Sequence, residues 1–79
     1  MNAEQWIAAY AAELGVEPPT PEELATLLEL AGVAAHSSER VAAPVSCWVS
    51  AVAGLTPDEA LAVARRVGQA NSRRSTVPR

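Results

Sequence analysis

The side chains able to do chemistry are few, and most of them sit together. His36, the only histidine, is followed by Ser37, Ser38, Glu39 and Arg40, and Cys47, the only cysteine, comes a few residues later. An imidazole, two hydroxyls and a guanidinium in one short connector offer donors to an anion, and the free N–H groups at the start of a following helix would add more. His36, Ser37, Ser38 and Arg40 are therefore the candidate residues for holding a phosphate or a pterin-type anion. No glycine-rich phosphate loop accompanies them. The plainer reading of His36 is a cation near the carboxyl end of a helix, favoured there by about 0.3–1 kcal/mol.

General acid–base work at His36 would need a partner and a shaped pocket, which so short a chain rarely encloses, so no catalytic residue is assigned. Cys47 lies in an uncharged stretch beside Trp48, where a cysteine behaves as a small hydrophobe rather than a nucleophile. One histidine and one cysteine also leave zinc short of nitrogen and sulfur donors, so no metal and no cofactor are expected.

The elements that would position these residues read as helices throughout. Asn2 stands three residues ahead of Gln5, the spacing of a capping box, and Trp6, Ile7, Tyr10 and Leu14 then fall on one helical stripe that Gly15 ends. Pro18 and Pro19 prevent continuation. Thr20, Pro21 and Glu23 give a second start: a threonine cap, proline at the first helical position and a glutamate able to bond back. The stripe that follows is Leu24, Leu27, Leu28, Ala31, Ala34 and Ala35, with Leu30 and Val33 to one side. The His36–Arg40 connector interrupts it. Pro44 then fits the first turn of a third helix with the stripe Val45, Trp48, Val49 and Val52, closed by Gly54. Thr56, Pro57, Asp58 and Glu59 repeat the opening of the second helix, and the fourth carries Ala60, Val63, Ala64 and Val67 as far as Ala70.

No stretch alternates like a strand, so the expected fold is all-α: a compact bundle of four short helices over residues 1–70, with a disordered, arginine-rich tail over 71–79. A chain of 79 residues holds one core, and although 49% of its residues are hydrophobic, many are alanines that contribute little burial. Trp6 and Trp48 are most simply core residues, although in so thin a bundle one of them would serve as an interface anchor.

The net charge of −3, with no lysine at all, argues against a general nucleic-acid binder, which needs a basic footprint to release counterions from phosphates. The longest uncharged run, from Val41 to Pro57, is short of the roughly 20 apolar residues that span a membrane. No basic and apolar leader opens the sequence, and a single cysteine forms no internal disulfide, so the expected location is the cytoplasm, without membrane or nucleic-acid partners.

Trp6, the Leu14 and Gly15 helix end, Leu30 and Ala31, Ala35 and His36, Arg40, Ala43 and Pro44, and Gly54 together resemble a small actinobacterial helical domain of unknown function. The resemblance spans most of residues 3–70. Members of that family occur alone or appended to nucleotidyltransferases resembling molybdenum cofactor guanylyltransferase. The resemblance implies no activity, only an accessory role near molybdopterin guanine dinucleotide synthesis with a nucleotidyltransferase as a possible partner. The expected function is therefore a non-enzymatic accessory or protein-interaction module, with Val45, Trp48, Val49 and Val52 facing a larger protein or a second copy. The rival expectation is the anion binder built on His36 to Arg40.

Overall fold

Capping chemistry sets the starts of the first, second and fourth helices where the sequence predicts them. The structure, a computed structural model, describes the backbone of residues 1–76 and the side chains of residues 1–70. Four helices occupy it: α1 (Ala3–Leu14), α2 (Pro21–Ser37), α3 (Ala42–Val52) and α4 (Pro57–Thr76), with no strand among the described residues. Asn2 and Gln5 exchange reciprocal bonds of 2.9 and 2.8 Å at the head of α1. Thr20 and Glu23 do the same for α2, as do Thr56 and Glu59 for α4. Gly15 and Gly54 adopt positive φ, 73° and 76°, the left-handed geometry that lets the chain leave α1 and α3 at no Cβ cost.

The backbone of α4 runs on to Thr76, past Ala70, where the apolar stripe stops. The expectation of disorder at the C-terminus lies, for residues 77–79, outside the described residues.

The packing is centred on α2. Both α3 and α4 pack against it, whereas α1 packs closely against none of the other three helices. The principal-axis extents are 50 × 25 × 19 Å. Leu30 is the most deeply buried large residue at 1% exposure, in contact with buried Ala60 and Leu61 of α4 and with half-buried Leu27, Val33, Cys47, Leu55 and Ala64.

Two of the expected core faces are rotated. On α2 the sequence stripe includes Leu28 and sets Leu30 to one side; the structure buries Leu30 and leaves Leu28 65% exposed. The two residues lie on different sides of a helix that is apolar around much of its circumference, so period alone does not choose between them. On α4 the inward series is buried Ala60 and Leu61 with half-buried Ala64 and Gly68, while Val63 and Val67 turn outward.

The same rule explains α3. Its half-buried residues are Ala42, Ala43, Ser46, Cys47 and Ser50, an i, i+3, i+4, i+7 series of small side chains, and the valines with Trp48 lie on the opposite side. Small residues let the helix axes approach, and close approach maximises van der Waals contact. Gly68 shows how tight this becomes between α2 and α4: a Cβ placed there would stand 2.7 Å from Ser37 Oγ. Trp6 and Trp48, read most simply as core residues with one of them an interface anchor, are 55% and 67% exposed; Trp48 lies on the side of α3 away from its half-buried residues, and α1 packs closely on no other helix.

Candidate functional site

An open apolar groove, rather than a cluster of polar groups, is the main concavity. It has a volume of about 440 Å³ and lies between α2, α3 and α4, lined by Leu30 and Ala34 of α2, Val49 of α3, and Val63 and Val67 of α4. It exists because α3 and α4 each pack on α2 without closing on one another. No charged side chain lines it.

Ser37 and Ser38, two of the expected anion-site residues, line one end of the groove, while the hydroxyls of its α3 wall are committed elsewhere. Ser46 and Ser50 of the α3 wall donate to the carbonyl oxygens of Ala43 and Ser46 at 2.9 and 2.8 Å. Such back-bonding within a helix uses the hydroxyl proton, so the wall behaves towards a ligand much as an alanine wall would. Among the described residues no buried side-chain polar atom lacks a hydrogen-bond partner. The α3 and α4 walls of the groove therefore present mostly apolar groups, with Ser37 and Ser38 lining it at the end of α2. Ser46 and Ser50 escape a reading that looks for apolar stripes; their signal in the sequence is two serines four residues apart in an otherwise apolar helix.

The interface residues expected on α3 stand together. Val45, Trp48, Val49 and Val52 are all more than half exposed, and no residue of α3 is fully buried. The helix carries neither acidic nor basic residues, so nothing on it favours water strongly. On α1 a second exposed stripe runs through Trp6, Tyr10 and Leu14, and the rings of Trp6 and Tyr10 stack with centroids 5.1 Å apart at an interplanar angle of 15°.

The expected anion site is dispersed by comparison. His36 lies in the last turn of α2, Ser37 ends that helix, Ser38 caps it, and Arg40 follows in the connector, all four solvent exposed. Among the described residues no side-chain hydrogen bond or ion pair links them. The donors expected from the start of α3 are taken: the N–H groups of Ala42 and Ala43 bond the carbonyls of Glu39 and Arg40 at 2.9 and 3.1 Å, and Pro44 has none. The Ser37 side chain sits at the α2–α4 crossing opposite Gly68. Among the described residues no three of His, Cys, Asp and Glu gather as metal ligands would. Among the described residues no helix is long and apolar enough to cross a membrane.

Over residues 1–77 the chain matches the model of a domain of unknown function, DUF6457, and it belongs to that family. No curated protein and no solved structure matches it.

Proposed function

We propose that this member of the DUF6457 family is a non-enzymatic protein-interaction module that receives an amphipathic helix of a protein partner on α3 and in the groove beside it. One observation carries the reading: an uncharged 11-residue helix has no buried residue and walls an apolar groove of about 440 Å³. Leaving Trp48 and three valines in water forfeits the roughly 25 cal/mol per Å² that covering them would return. A groove between two helices is one of the standard receptors for an amphipathic helix, which enters with residues spaced i, i+3, i+4 and i+7.

Parallel affinity capture with the wild-type chain and with the groove variants Val49→Glu and Val67→Glu tests it, each retained chain being identified by mass, the bait sequence included. The expected result is a partner held by the wild type and lost from both variants, but kept by Thr26→Glu on the outer side of α2. The proposal fails if every retained chain binds the groove variants as well as the wild type. The resemblance noted above supports a nucleotidyltransferase of molybdenum cofactor synthesis as one such partner, and a cytoplasmic setting with it.

The alternative, a phosphate or pterin-type anion on His36, Ser37, Ser38 and Arg40, rests on the nearness of those residues in the chain. Titrating inorganic phosphate, GTP and a pterin while recording amide NMR spectra tests it. Motionless signals from His36 to Val45 would eliminate the anion site.

A further inference from the structure

We infer that the helix received by the groove is α4 of a second copy of this chain, laid antiparallel on α4 of the first about a two-fold axis. This rests on the reading of the groove as a helix receptor and names its occupant.

The charges of α4 carry the inference. Residues 57–70 of that helix hold four charged side chains, Asp58, Glu59, Arg65 and Arg66. Two of them are engaged on α2: Asp58 shares a cleft with Glu22, Glu23 and Thr26, and Arg65 pairs with Glu29 at 2.8 Å. Leu61, Ala64 and Gly68 mark the side of α4 that faces α2. At about 100° per residue, Glu59, Val63 and Arg66 then fall together on the side turned away from α2.

That ridge is one rim of the groove, since Val63 and the neighbouring Val67 also line it. Glu59 and Arg66 are both exposed on it. The opposite rim, α3, carries no charge, and no charged side chain lines the space between them. An incoming helix therefore meets one acid and one base, set about 10.5 Å apart along the axis, the same rise as the α4 wall from Ala60 to Val67.

A two-fold contact needs a surface that complements itself after a half-turn. This rim does so, because Glu59 stands four residues before Val63 and Arg66 three after it. In an antiparallel pair centred near Val63, each Glu59 comes level with Arg66 of the other copy. Two pairs of opposite sign form at once, and the valines between them meet the facing grooves. A parallel arrangement would set like charge on like and align the helix dipoles. The Glu59 side chain is already held at the head of α4, where Oε1 accepts from the Thr56 N–H at 2.8 Å, which leaves Oε2 to accept from an arginine.

The other helices of the chain lack this match. α1 carries acids and no base, α3 carries neither, and α2 carries acids with only His36 in its last turn. Among the four, α4 alone presents both signs on one face across an apolar centre.

Light scattering on the full chain, over about 1–100 μM, should give a mass near twice 8.2 kDa that falls on dilution. Arg66→Glu makes the rim wholly acidic and should weaken the dimer by about 10-fold or more, since the two-fold axis repeats each reversed pair. Glu59→Lys makes it wholly basic and should do the same, and Val49→Glu on the facing wall should weaken it as far. Mixing Arg66→Glu with Glu59→Lys should restore the dimer, because every charged contact across that heterodimer is again acid to base. Far-UV circular dichroism checks the fold of each variant. Glu59→Gln, which keeps the capping box, gives a second partner that should bind Arg66→Glu more tightly than Arg66→Glu binds itself. A monomer at every concentration overturns the pairing. So does a dimer indifferent to Arg66→Glu or to Val49→Glu, or a mixture no tighter than its components. A monomeric chain whose foreign partner is lost from Val49→Glu overturns the pairing and leaves the helix-receptor reading standing.

Discussion

Replacing Leu30 by alanine tests the centre of the fold against the face that periodicity alone would choose. Leu30 is 1% exposed and touches Ala60 and Leu61, so truncation removes three carbons from a site fully withdrawn from water. At about 0.8 kcal/mol per buried methylene the transfer loss is about 2.4 kcal/mol. A cavity term adds to it, kept small because Leu30 also lines the open groove and the new space joins that groove instead of forming a sealed void. The expected cost is about 3 kcal/mol, out of a total of about 4–12 kcal/mol for a domain of this length. Leu28→Ala is the control: the side chain is 65% exposed and should cost less than about 1 kcal/mol. Urea unfolding followed by far-UV circular dichroism, at one fixed protein concentration, gives both values. Equal losses from the two variants, or a loss below about 1 kcal/mol from Leu30→Ala, would refute the assignment of the core face.

Four other substitutions probe the helices that surround that core. A Cβ added at Gly32 of α2 meets nothing within 4 Å, so Gly32→Ala should stabilise by about 0.5–1 kcal/mol, read as a rise in Tm of about 2–8 °C; a fall would mean that another helix lies on that face. Thr56→Ala removes the cap of α4, which packs on the core, and should cost about 1 kcal/mol. Asn2→Ala removes the corresponding cap of α1 and should speed amide exchange within Ala3–Leu14 while moving the global transition much less, since α1 packs closely on no other helix; equal shifts in Tm would show α1 to be part of the cooperative unit. Glu29→Gln breaks the 2.8 Å ion pair with Arg65, but with the partners 59% and 57% exposed the loss should stay under about 0.5 kcal/mol, and a larger loss in urea unfolding would contradict a solvent-screened pair.

How much of this is legible in the chain depends on whether the signal is local. Most caps are: Asn2 with Gln5, Thr20 with Glu23, Thr56 with Glu59, and the two positive-φ glycines act within four residues, so type and spacing suffice to place those helix ends, whereas α3 starts at Val41 with no side-chain cap. The choice of buried face is not. α3 offers two complete stripes on opposite sides, Ala43, Ser46, Cys47 and Ser50 against Val45, Trp48, Val49 and Val52, and hydrophobicity favours the second. The structure buries the first because close approach to α2 is a property of the pair of helices, and no single segment records it. The groove follows from that choice, which is why its outline was hidden while its valines were individually conspicuous.

Where α3 and α4 meet α2, small residues face inward while Trp48 and the valines of α3 and α4 face outward. In a self-sufficient bundle the large side chains carry the burial, since each one withdrawn from water contributes about 1.5–3 kcal/mol and an alanine far less. Among the described residues Leu30 is the fully buried large group, with Leu61 close behind, while Trp6, Tyr10, Leu14, Trp48 and the valines of α3 keep more than half of their surface in water. The apolar content of the sequence is thus sufficient for a core, and much of it stands on exposed faces of α1 and α3 instead. Substituting an outward residue such as Trp48 should consequently leave the fold of the isolated chain nearly unchanged and act on association, whereas Leu30 acts on the fold first.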